Sequence, residues 1–140
     1  MADEILVKDP LSAEMINGGE ELTNRLVESG WSVVAAFWHF STESRRWDLV
    51  FGVGEVPERG SLEIYSAIQS DMHTRPIRGI HLSDIMVLHP DQPLVKRVRE
   101  YAGTVLHDAD RLRVKQVVMG SLFVEGALIY SVPERRRDAA

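Results

Sequence analysis

The chain has 140 residues, 44% of them hydrophobic and 26% charged, with a net charge of -5. That is the size of one domain, which buries roughly two-thirds of its unfolded surface and needs no disulfide or metal to fold. The absence of cysteine excludes a disulfide framework, a thiol nucleophile and a thiolate zinc site.

The first residues, Met1-Ala-Asp-Glu-Ile5, are acidic and do not read as a signal peptide. No apolar run approaches the roughly 18 residues of a membrane span, so a cytoplasmic protein with no membrane partner is expected. Charge is uneven. Residues 1–70 carry 12 acids and five bases, whereas residues 71–140 carry nine acids and 11 bases. The acidic whole argues against strong nonspecific nucleic-acid binding, while the second half leaves room for a basic face.

Asp9-Pro10 reads as an N-cap followed by proline at the first helical position. A helix to about Ser29, stopped by Gly30, carries an apolar stripe of Leu11, Met15, Leu22 and Leu26. Gly18 and Gly19 lie on or beside that stripe. They either permit close approach to a sheet or split the helix.

All three tryptophans and three of the four phenylalanines fall between Trp31 and Phe51. This stretch reads as a hairpin, with strands at about Trp31 to Phe40 and Arg46 to Val53. A turn symmetric about Glu43 and Ser44 sets Phe40 opposite Trp47, Trp38 opposite Leu49 and Ala36 opposite Phe51. That makes one strongly apolar face. The other face is half apolar and holds His39 and Asp48, so the first strand is expected to be interior.

Residues 54–60 read as a loop, with Ser61 capping a second helix to about Met72. A third strand lies within Ile80 to Leu88, clearest at Ile85 to Leu88. A third helix opens near Asp91 with Pro93 in its first turn, burying Leu94, Val98, Tyr101 and Val105. After a loop at His107 to Asp110 come strands at about Leu112 to Met119 and Phe123 to Val132, the last bent near Glu125-Gly126. Residues 1–132 are thus expected to form one α+β domain of order α-β-β-α-β-α-β-β. It would contain a mixed sheet of about five strands and three helices, followed by a disordered charged tail at 133–140.

The candidate catalytic pair is His39 and Asp48, directly opposed in the symmetric register. A carboxylate beside an imidazole fixes its tautomer and stabilises the imidazolium. A turn one residue longer or shorter would break the pairing. His107, Asp108 and Asp110 are the residue types that bind a hard or borderline cation, but no further ligand is indicated and no metal is expected.

With Asp48 on its second strand, the helix, hairpin, helix and strand order is loosely similar to that of restriction-type nucleases. Such enzymes place a Glu or Gln, any residue and a Lys on the next strand. Glu55-Val-Pro57 and Glu63-Ile-Tyr65 lack that lysine. Gly52-Val-Gly54 follows a strand but lacks a third glycine at phosphate-cradling spacing, so no cofactor is expected.

Candidate interaction residues are Trp47, Lys96, Arg97, Arg99, Arg111, Arg113 and Lys115. Trp47 would anchor a partner if it sat at an open strand end. The three bases at 111–115 alternate and project from one strand face. With the 96–99 helix they would form a phosphate-contacting patch, or a surface for an acidic protein, if the two edges coincided. The first expectation is a non-catalytic protein that binds another protein or itself. The alternatives are a small metal-dependent hydrolase or nuclease using Asp48 and His39, and a nucleic-acid-binding accessory subunit.

Overall fold

The computed structural model describes residues 10–105 and 111–132. The predicted Asp9 cap, the His107–Asp110 loop and the 133–140 tail lie outside them.

The Ser12 hydroxyl accepts from the Met15 N–H at 3.1 Å and starts helix α1, Ala13–Glu28. Pro10 and Leu11 therefore precede the helix. Gly18 and Gly19 do not split it. Both are buried, and the close-approach reading holds.

Strands β1, Val33–Ser41, and β2, Arg46–Val53, form the expected hairpin. Its register sets Phe40 opposite Trp47, His39 opposite Asp48, Trp38 opposite Leu49 and Ala36 opposite Phe51. Trp31 falls just ahead of β1, and the Arg59 guanidinium stacks 4.6 Å over its ring.

The predicted loop at 54–60 contains one helical turn, α2, Val56–Arg59, with proline in its first turn. Glu55 ties that loop to the residue ahead of β1, because its carboxylate accepts from the Ser32 N–H and hydroxyl, both at 3.0 Å. Helix α3, Ser61–Thr74, has Gly60 at its N-cap in a left-handed conformation (φ +81°). Ser61 is consequently the first helical residue and makes no cap bond. The chain then passes through a 3₁₀ turn, Leu82–Asp84, to β3, Ile85–Leu88, helix α4, Pro93–Val105, and strands β4, Arg111–Met119, and β5, Leu122–Tyr130.

One five-stranded mixed sheet results, in the order β3-β2-β1-β5-β4. Among the described strands only the β2–β3 pair is parallel, and α2 and α3 supply the crossover it requires. β1 lies at the centre, as its two-faced apolar pattern implies.

Each sheet face has its own core. On one, Ala36, Trp38, Phe40, Trp47, Leu49, Phe51, Leu128 and Tyr130 pack against Leu22 and Leu26 of α1 and Ile64 and Ile68 of α3. On the other, Phe37, Val50, Ala127 and Ile129 pack against Val95, Val98 and Ala102 of α4. The buried stripe of α4 therefore runs through Val95, Val98 and Ala102. The predicted Leu94 and Tyr101 are only half-buried at its margin.

The first core contains a polar knot. Trp38 Nε1 donates to the Tyr130 hydroxyl at 2.9 Å and the Met15 carbonyl at 3.2 Å. Tyr130 in turn donates to the Ile16 carbonyl at 2.6 Å. Burial pushes the Tyr130 hydroxyl well above its ordinary pKa, so it stays protonated and donating.

The distal β4–β5 hairpin departs from simple alternation. Arg113 and Lys115 flank Val114, which belongs to the α4-side core. Strict alternation would turn Val124 away from that core, yet Val124 is fully buried in it together with Met119. The change of side occurs at Gln116, whose φ is +49°, between the Lys115–Gly126 and Val117–Val124 pairs. Beyond it the hairpin closes on α4, bringing Gly120 against the Arg97 side chain. The bend expected near Glu125-Gly126 is thus a switch of side-chain faces shared by both strands.

Candidate functional site

His39 and Asp48 sit opposite each other on the α4 side of the sheet, beyond the residues that α4 covers. On its other side His39 pairs with Ala127. Register brings the two residues together, but chemistry does not join them. No hydrogen bond or ion pair connects the imidazole and the carboxylate. Asp48 instead faces Arg46 Nε at 3.8 Å, and Arg46 reaches on to Asp84 at 2.5 Å.

Burial holds His39 below its ordinary pKa. Burial also raises Asp48, with Asp84 adding to the rise and Arg46 opposing it. Both groups are pushed toward neutrality, whereas an imidazolium–carboxylate pair would draw them apart. Neither side chain lines the cavities beside α4, α1, Trp47 or Arg46 among the described residues. No group of three His, Asp or Glu side chains able to hold a metal ion occurs among the described residues.

The basic candidates divide into two sets. Arg111, Arg113 and Lys115 share one side of β4, as their alternation predicts. Arg111 is tied to α1 through Glu20 at 2.5 Å and Asn17 at 2.9 Å. Arg113 lies 5.2 Å over the Trp47 ring. Lys96, Arg97 and Arg99 belong to α4, which packs on the opposite side of the sheet. The sheet therefore separates the two sets, and they do not merge into the single patch that the sequence allowed. Lys96 and Arg99 border a cavity of about 470 Å³ between α4 and the ends of β1 and β5. Arg97 bonds Glu100 at 3.1 Å.

Trp47 is a correction. It does not stand at an open strand end but is 8% exposed, edge-on to Phe40 with ring centroids 5.4 Å apart. Arg113 covers it, and Gly126 leaves room for its indole. It belongs to the core.

The surface that sequence reasoning missed is at the far end of the β4–β5 hairpin. Val118 and Phe123 are directly opposed and are 64% and 57% exposed. The available signal was the apolar run flanking Gly120-Ser121, in which Val117, Val118, Met119, Leu122, Phe123 and Val124 cannot all face one core. No family model, no curated protein and no solved structure matches the chain.

Proposed function

We propose that this chain is a protein-binding domain without catalytic activity, with its contact surface at the distal end of the β4–β5 hairpin. One observation carries the reading. Val118 and Phe123 form an exposed cross-strand apolar pair on a hairpin whose opposite side is packed on α4. An exposed phenylalanine beside a β-branched residue has the make-up of an interface centre. A cytoplasmic setting fits the lack of cysteine.

Less supports the hydrolase and nucleic-acid readings. The former needs His39 and Asp48 to act on each other, and they are unbonded. The latter needs two basic sets on one surface, and the sheet lies between them.

The test is a tagged chain expressed at native level, with co-purifying proteins quantified by mass spectrometry. A stoichiometric partner is expected. It should be lost when Val118 and Phe123 are both changed to Asp, with the circular dichroism spectrum unchanged because both positions are exposed. Absence of any partner, or its retention by that folded variant, overturns the reading.

A further inference from the structure

We propose that the outer edge of β4 accepts an acidic, extended segment of a partner protein as a sixth strand of the sheet. This rests on the protein-binding reading above and names the partner's chemistry.

The two sheet edges are treated differently. β3 is four residues long, and its Val87 N–H donates to the Tyr65 hydroxyl of α3 at 2.7 Å. β4 is nine residues long, and no strand pairs with its outer side among the described residues. Such an edge is a template for another extended chain, through main-chain bonds that require no particular sequence.

Side chains restrict what can be added. Arg113 and Lys115 project from one side of β4 and have no carboxylate partner among the described residues. Val118 joins them on that side, because Val114 and Met119 both turn to α4 and the switch at Gln116 lies between. The edge therefore offers two bases at strand spacing and then, three residues on and past the switch at Gln116, an apolar group. An added strand that presents two acids at alternate positions and then an apolar residue matches it.

A second copy of the chain fits the basic part of this edge badly. Centring an antiparallel β4–β4 pair on Arg113, Val114 or Lys115 sets base opposite base, which destabilises pairing. A nucleic acid would neutralise the bases but leave the main-chain edge and the Val118–Phe123 pair unsatisfied.

The probe is a strand-length, fluorophore-labelled peptide that alternates glutamate with valine, titrated into the full chain and read by anisotropy. Saturable binding is expected. It should weaken by about tenfold or more when Arg113 and Lys115 are both changed to Glu. The neutral Arg113→Gln, Lys115→Gln variant should fall between, and serves where the reversed one does not fold. The same peptide N-methylated at every peptide bond should not bind, because it cannot donate to the edge.

Equal binding of the N-methylated peptide, or of a lysine–valine peptide, overturns the proposal. So does preferential binding of a single-stranded oligonucleotide. If the peptide fails while a partner sensitive to Val118 and Phe123 still co-purifies, strand addition is wrong and the protein-binding reading stands. If neither is seen, both fall.

Discussion

At Gly19 the backbone of α1 meets the Trp38–Tyr130 pair. A methyl group there would overlap the Tyr130 hydroxyl and lie 2.8 Å from Trp38 Nε1. Alanine is the better helix former by roughly 1 kcal/mol, but overpacking costs about 1–3 kcal/mol and here also disturbs the hydrogen-bonded knot. Gly19→Ala should lower stability by about 1–2 kcal/mol in urea denaturation. Gly103 of α4 is the control, since a methyl there meets nothing within 4 Å. Gly103→Ala should raise stability by about 0.5–1 kcal/mol. A stabilised Gly19→Ala protein would show that the close approach is no constraint. The apolar pattern set Gly19 on or beside the helix stripe but could not name Trp38 and Tyr130 as its neighbours, because Tyr130 lies 111 positions away. The same limit applied to His39 and Asp48. Hairpin parity made their opposition legible. Their failure to bond depends on Arg46, Asp84 and the burial of each ring and carboxylate, which no local pattern encodes.

Among the elements, α1 and α3 pack side by side on one sheet face and are joined at their exposed margin by Arg25. Its guanidinium donates to Asp71 at 2.8 Å and to the Arg75 carbonyl at 2.7 Å, and Arg75 returns to Asp71 at 3.0 Å. The hydrogen bond from Arg25, aided by Arg75, holds Asp71 below its ordinary pKa despite partial burial. A carboxyl with a depressed folded pKa contributes stability above its unfolded value, near 3.9, and loses it as pH falls through the folded value. Asp71→Asn should therefore cost about 1 kcal/mol at neutral pH, a figure held down by solvent screening. The gap from the parent chain should close progressively below about pH 4 in thermal melts. A gap that persists unchanged into strong acid would assign the loss to packing rather than charge. Such helix-to-helix links were not legible in the sequence, where Arg25 and Asp71 appear only as surface charges on separate helices. The β4–β5 bend was legible in part. Gly126 marked the place, but the change of faces arises from the left-handed Gln116 and from α4 beneath it.

For the whole molecule, the central question is whether two cores on one sheet behave as one cooperative unit. All three tryptophans belong to the α1–α3 side, so their fluorescence reports on that core alone. The α4 side holds none. Alternate residues of β1 and β2 nonetheless serve both cores. Phe37 and Val50 point to α4, while their chain neighbours Trp38 and Leu49 point to α1 and α3, and all four are fully buried. Loss of either core strips one face from the strands that carry the other, and a domain of this size ordinarily unfolds in one step. Val98→Ala removes fully buried apolar groups from the α4 side, at a cost of about 1–3 kcal/mol. It should lower the melting midpoint of tryptophan fluorescence, on the far side of the sheet, by the same amount as that of far-ultraviolet circular dichroism. If circular dichroism shifts while fluorescence does not, α4 and the β4–β5 hairpin form a separately melting layer. Coincident shifts mean that a strand added at the β4 edge would stabilise both cores, because β4 pairs with β5 and β5 with central β1.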